Sequence, residues 1–115
     1  MSFAFEKQPA YAHTLDLIRL VDEKLQYTKR RQDRRIPEME RFLTALQDAA
    51  ASIARTGTGD ARHALAAQEQ ILAACPALAR LLQMDIVSSS EHDDFMRHLA
   101  AIAGELQLLI ASCGG

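Results

Sequence analysis

Apolar residues recur every three or four positions along most of this 115-residue chain, which is the spacing that places side chains on one face of an α-helix. One stripe lies near the middle of the sequence and comprises Met39, Leu43, Leu46, Ala50 and Ile53. Another lies near the carboxyl end and comprises Phe95, Leu99, Ile102, Leu106, Leu109 and Cys113. Because each stripe must be covered by another element, the pattern predicts an all-α fold.

Proline and glycine divide the chain into predicted helices. Pro9 suits the first turn of a helix that continues into the low thirties, and a second helix begins near Pro37 and ends at Ile53. The segment Thr56–Asp60 contains two glycines and predicts a loop, with Asp60 as the N-cap of a third helix.

The third predicted helix contains Pro76, which removes a backbone donor and makes the helix kinked or split at that point. Its expected apolar side includes Ala61, Leu65, Leu72 and Cys75. A fourth helix is expected from about residue 91 to residue 112. Ser90 and Asp93 resemble the capping box that precedes many helices.

Four amphipathic helices with short connections pack most simply as a small antiparallel bundle. We expect one domain over residues 1–115, since a chain of this length buries roughly two-thirds of its unfolded surface without a metal or disulfide. The net charge of −2 gives no overall attraction to nucleic acid or to anionic membranes.

The composition favours a cytoplasmic protein with reduced thiols. Cys75 and Cys113 lie on apolar stripes, where buried free cysteines are common. The first nine residues lack the pattern of a signal peptide, and no apolar run approaches the roughly 20 residues that span a bilayer. Frequent Ala, Leu and Arg codons would suit a GC-rich bacterial genome.

The first helix has an apolar arc wider than the usual stripe. Its outer part consists of Leu17, Leu20 and Tyr27, which we take as a candidate interface with another copy of the chain, most simply in a dimer. The alternative is that the bundle itself, or the amino-terminal segment with Phe3 and Phe5, covers these residues.

The densest group of charges follows the first helix and comprises Lys29, Arg30, Arg31, Arg34 and Arg35. Guanidinium groups bind phosphate or carboxylate oxygens in pairs, so this candidate basic patch is one place where an anion or nucleic acid could bind. Base-stacking aromatic residues are few nearby, which favours a solvated helix end paired with local carboxylates over nucleic-acid binding.

Three ionisable residues, Asp94, His98 and Glu105, fall in one column beside the stripe of the fourth helix. Asp94 and His98, one turn apart, could share a metal ion, but two ligands on one helix fall short of the ligand sets of helical di-iron proteins. We therefore interpret the column as an edge ion pair, with no metal or cofactor assigned. Gln68 is expected to satisfy its amide near the apolar side of the third helix.

The segments Ala12-His13-Thr14-Leu15 and His63-Ala64-Leu65 resemble the phosphorylated helix of histidine phosphotransfer domains, which are four-helix bundles. The resemblance implies a phosphoryl-accepting histidine, followed by a lysine three residues later and a neighbouring glycine. This sequence departs from that pattern, because Asp16 and Leu17 follow His13, and Ala66 and Ala67 follow His63. Asp16 would repel a phosphoryl group.

Glycine-rich phosphate loops, nucleophile elbows and zinc-binding helix motifs are absent from the sequence. We therefore expect a non-enzymatic protein that acts through protein contacts, as an interaction or regulatory module that self-associates. A phosphotransfer-like or metal-binding bundle is one alternative. Anion or nucleic-acid binding through Lys29–Arg35 is the other.

Overall fold

The computed structural model describes residues 8–30, 36–58 and 61–113, and these residues form four α-helices. The helices are α1 (Pro9–Arg30), α2 (Ile36–Ala54), α3 (Ala61–Gln83) and α4 (Ser89–Cys113). A short 3-10 helix, Arg55–Thr58, follows α2 within the predicted loop. The described ranges contain no strand, which confirms the all-α prediction.

The four helices form an antiparallel bundle in which each helix packs against two others. Helix α1 contacts α2 and α4, and α3 contacts the same two helices from the opposite corner. Lys24, late in α1, binds Glu91 at the start of α4, whereas His13, early in α1, contacts Glu105 late in α4. The two helices therefore run in opposite directions, and the predicted bundle is confirmed.

The predicted stripes of α2 and α4 form much of the core. All five residues of the α2 stripe are buried, as are Phe95, Leu99, Ile102 and Leu106 of α4. The rings of Phe42 and Phe95 pack across the bundle with centroids 6.2 Å apart. Burial of each large apolar side chain contributes about 1.5 to 3 kcal/mol, so these residues supply much of the driving force for folding.

Helix α3 presents a different face to the core from the one the sequence predicted. Leu65 and Leu72 are 46% and 59% exposed, so their assignment to the inner side is wrong. The inner face carries three alanines and three larger residues: Ala64, Ala67, Ile71, Ala74, Leu78 and Leu81. These residues repeat at spacings of three and four, and the small alanine side chains allow α3 to lie close to its neighbours.

Pro76 does not divide α3. The helix continues from Ala61 to Gln83, so the alternative of two short helices is wrong. Pro76 is exposed and has no N–H to donate, which leaves the carbonyl of Leu72 without its usual donor four residues later. Leu72 lies on the exposed side of α3, so we expect water to hydrogen-bond to that carbonyl and limit the cost of the proline.

Helix α3 ends in a Schellman motif centred on Asp85. Asp85 has a φ of 57°, and its N–H donates to the carbonyl of Leu82 at 3.1 Å. The next N–H, that of Ile86, donates to the carbonyl of Leu81 at 2.9 Å. Leu81 and Ile86 are both buried, which adds the apolar contact typical of this motif and directs the chain back toward α4.

The first turn of α4 is closed by a capping box between Ser88 and Glu91. The Glu91 N–H donates to Ser88 Oγ at 3.1 Å, and the Ser88 N–H donates to Glu91 Oε1 at 2.9 Å. The prediction that Ser90 and Asp93 form this box is wrong by two residues. The carboxylate of Glu91 also accepts a hydrogen bond from Lys24 of α1, at 3.2 Å, which links the box to the neighbouring helix.

Replacing Asp85 with glycine is expected to stabilise the protein. Glycine adopts a positive φ without the steric cost that a side chain incurs, so Asp85→Gly should raise the free energy of unfolding by about 0.5 to 1 kcal/mol. Asp85→Val should lower it, because a β-branched residue fits this conformation poorly. Urea titrations followed by circular dichroism test both variants, and a less stable glycine variant would contradict the interpretation.

Glu91 should make stability depend on pH. Burial acts to raise the pKa of its carboxyl, but hydrogen bonds from Ser88 and Lys24 outweigh that effect and leave the pKa lowered. The stabilisation is therefore complete above the unfolded-state pKa and is lost as the pH falls through the lowered folded-state pKa. Glu91→Gln should lower the free energy of unfolding by about 0.5 kcal/mol at pH 7 and leave it unchanged in strong acid.

Urea titrations of both proteins from pH 7 down to strongly acidic conditions measure this difference. Glu69→Gln serves as the control, because Glu69 is exposed on α3, away from the capping box. A Glu91→Gln penalty that stays constant over the whole pH range would show that the charge has no role in the box.

Candidate functional sites

The predicted interface on α1 does not form one exposed surface. Leu17 has 0% exposure and belongs to the core of its own chain, so its assignment to an interface is wrong. Leu20 is half-buried and packs against that core, while Tyr27 is 52% exposed with the Lys24 ammonium 5.7 Å from its ring centroid. The wide apolar arc of α1 is thus partly explained by contacts within the bundle.

The side chains of the predicted basic patch, Lys29, Arg30, Arg31, Arg34 and Arg35, lie outside the described residues. An anion-binding face would need further basic residues beside this segment, for which the sequence offers Arg19, Arg41 and Arg62. Two of them lie beside a carboxylate of their own helix. Arg19 is 3.6 Å from Asp16, and Arg41 is 3.5 Å from Glu38. Anion binding through the Lys29–Arg35 segment stays a prediction.

The three residues of the predicted column, Asp94, His98 and Glu105, are not hydrogen-bonded to one another but contact two different residues. Asp94 accepts a hydrogen bond from Arg97 at 3.2 Å, and both are well exposed. His98 and Glu105 instead contact His13, which reaches across from α1. The expectation of a simple edge ion pair within α4 is therefore replaced by a cluster that joins two helices.

We call Glu105, His13 and His98 the histidine cluster. His13 Nδ1 lies 3.0 Å from Glu105 Oε1, and His13 Nε2 lies 3.4 Å from His98 Nδ1. The two rings are nearly perpendicular, with centroids 5.4 Å apart. The side chains of His13 and Glu105 are each 28% exposed, so the cluster lies at the edge of the bundle and is accessible to small ions.

Glu105 sets the direction of the hydrogen bonds in the histidine cluster when both rings are neutral. Its carboxylate accepts a hydrogen bond from the Nδ1–H of His13, which leaves His13 Nε2 as an acceptor for the Nδ1–H of His98. The other carboxylate oxygen, Oε2, is buried without a hydrogen-bond partner among the described residues. The negative charge of Glu105 therefore acts mainly through His13.

The sequence predicted the two members of the histidine cluster on α4 but not the third, His13. The seven-residue spacing of His98 and Glu105 places them on one face of α4, and the sequence analysis identified that face. His13 is 85 residues away from His98, and no local pattern indicates that α1 brings it there. The position of α1 beside α4 in the bundle supplies the missing member.

A second candidate site lies on the opposite side of α4, where α3 and α4 together form an uncharged surface. Leu65 and Leu72 are exposed on α3, with Gln68 between them. Gln68 Nε2 donates to Gln107 Oε1 of α4 at 3.0 Å, so the amide of Gln68 binds a side chain of the neighbouring helix. This hydrogen bond fixes which residues of the antiparallel helices lie side by side.

We call this surface the uncharged face. On α4 it continues with small and apolar residues on both sides of Gln107. Its members share an outward or half-outward position and carry no formal charge: Leu65, Gln68, Leu72, Cys75, Pro76 and Ala79 of α3, with Ala100, Ala103, Gly104, Gln107, Ile110 and Ala111 of α4. Burial raises the pKa of the Cys75 thiol, which keeps it neutral too. The face is thus an uncharged strip on a chain of which about a quarter of the residues are charged.

Comparison with known proteins matches this chain to no family model, no curated protein and no solved structure. Within the described residues, none of the helices combines the length and the hydropathy needed to cross a lipid bilayer. The function must therefore be argued from the histidine cluster and the uncharged face themselves.

Gly104 provides a direct test of how open the uncharged face is. A Cβ atom added at Gly104 would meet nothing within 4 Å, and glycine is a poor helix former. Gly104→Ala should therefore raise the free energy of unfolding by about 0.5 to 1 kcal/mol at low protein concentration. Thermal or urea unfolding measures the change, and a destabilised variant would show that another group packs against this position.

Proposed function

We propose that this chain is a non-enzymatic interaction module that associates with a second copy of itself through the uncharged face. The observation that carries the proposal is the exposure of Leu65 and Leu72 beside the small residues of α4. Exposed leucines are common singly, but leucines grouped with small uncharged residues on two adjacent helices are typical of a contact site.

The absence of charge favours a second copy as the occupant. In a two-fold symmetric contact, each residue approaches the same surface on the partner, so a charged patch would face its own sign. The uncharged face meets no such repulsion. Gln68 and Gln107 carry both donors and acceptors, so their amides can pair with the same amides of another copy.

The size of the face indicates a reversible contact rather than an obligate one. Residues 65–79 of α3 cover about 21 Å of helix, and two helices side by side are about 20 Å wide, which gives roughly 400 Å² per copy. Stable interfaces bury roughly 800 Å² per partner. The large core within one chain agrees with this interpretation, because it allows a folded monomer.

The proposal replaces the α1 surface of the sequence analysis with the α3 and α4 surface, because Leu17 is buried in the chain's own core. The regulatory role, the cytoplasmic location and the possibility of a different protein partner remain parts of the hypothesis. A partner of another sequence would need a similarly uncharged and apolar surface.

Sedimentation velocity over a wide range of protein concentration tests the proposal. The unmodified chain should shift from monomer to dimer as concentration rises. Leu72→Arg should remain monomeric, because it places two like charges in the contact. The variant should still fold, since Leu72 is 59% exposed in the single chain. Circular dichroism verifies that it does.

Leu15→Arg is the matched control. Leu15 is 43% exposed on α1, outside the uncharged face, so this variant should dimerise like the unmodified chain. A chain that stays monomeric up to about millimolar concentration, which corresponds to roughly 4 kcal/mol of binding free energy, would contradict self-association. Equal loss of the dimer in both variants would contradict the assignment of the surface.

A further inference from the structure

The histidine cluster has the geometry of two ligands of a transition-metal ion. Zinc binds imidazole nitrogen at 2.0 to 2.1 Å, so two nitrogens on a tetrahedral zinc ion lie about 3.3 Å apart. His13 Nε2 and His98 Nδ1 lie 3.4 Å apart. Their mutual hydrogen bond shows that the nitrogens already face one another across the gap that a metal ion would bridge.

Glu105 is placed as the outer partner of such a site. Histidines that bind a metal through one nitrogen commonly donate the proton of the other nitrogen to a carboxylate, which orients the ring and raises its basicity. Glu105 Oε1 lies 3.0 Å from His13 Nδ1, the nitrogen away from His98. The carboxylate thus holds His13 in the tautomer whose Nε2 lone pair is available to a metal.

We infer that His13 and His98 bind a divalent transition-metal ion such as Zn²⁺, with Glu105 as the positioning residue. Metal binding breaks the hydrogen bond between the two rings, and the proton of His98 moves from Nδ1 to Nε2, so that His13 Nε2 and His98 Nδ1 each direct a lone pair to the ion. Imidazole ligands favour zinc, copper and nickel over magnesium and calcium. The site is independent of the uncharged face, which lies on the other side of α4.

The site is an open one. Among the described residues, no group of three His, Cys, Asp or Glu side chains converges on one point, so water fills the remaining coordination positions. The partial exposure of His13 and Glu105 gives water and ions access. Because His13 lies on α1 and His98 on α4, a bound metal also links two helices and stabilises the folded state.

Isothermal titration of the tag-free protein with ZnCl₂ at neutral pH tests the inference. We expect one zinc ion per chain and a higher unfolding temperature with zinc than without it. His13→Gln and His98→Gln should each weaken binding at least tenfold, by loss of one of two ligands. Glu105→Gln should weaken it by roughly tenfold, because it removes the carboxylate that orients His13.

His63→Gln is the control, since His63 lies on α3, and it should bind zinc as the unmodified chain does. Nitrogen chemical shifts of the imidazoles identify the ligands: the resonances of His13 and His98 should move on zinc addition, including His98 Nε2, which gains the displaced proton, whereas those of His63 should stay in place. No binding below about millimolar zinc, or unchanged binding in both ligand variants, would overturn the inference. One zinc ion per two chains would also overturn it, because the ligands would then belong to different copies.

Discussion

Burial of one apolar face from each helix is the interaction on which the rest of this structure depends. The buried side chains form one continuous cluster with members from all four helices and from the turn at Ile86 and Val87. Alanines on the inner face of α3 bring that helix close to its neighbours. Neither candidate site supplies a fully buried member of this cluster, although Cys75 and Ala103 of the uncharged face pack against it.

Polar contacts between side chains of neighbouring helices complement the apolar core, because they depend on how the helices are aligned along their axes. Lys24 with Glu91, and His13 with Glu105, fix the antiparallel alignment of α1 and α4 at two heights. Gln68 with Gln107 does the same for α3 and α4. Individually such partly exposed contacts contribute little to stability, but together they define which residues of neighbouring helices meet.

The sequence predicted the helices and the stripes of α2 and α4 because large apolar residues at regular spacing identify an inner face without ambiguity. It failed on α3, where half of the buried positions are alanine and Leu65 and Leu72 lie outside. It found two members of the histidine cluster on α4 but not His13, because contacts between distant helices leave no local pattern. The assignment of Leu17 to an interface was wrong for a related reason. Packing of the whole bundle determines how much of α1 is covered, and no local pattern shows it.

Pro76 has a further consequence for recognition at the uncharged face. The Leu72 carbonyl, which lacks its usual helical donor, adds a hydrogen-bond acceptor to a face whose other polar side chains are the amides of Gln68 and Gln107. A partner that buries this carbonyl must donate a hydrogen bond to it from an N–H or O–H group, directly or through a water molecule. Without that donor, burial of the carbonyl reduces the favourable binding free energy by about 1 to 3 kcal/mol. Pro76 thus makes binding at the uncharged face selective, because a partner that matches only its shape leaves the Leu72 carbonyl without a hydrogen bond.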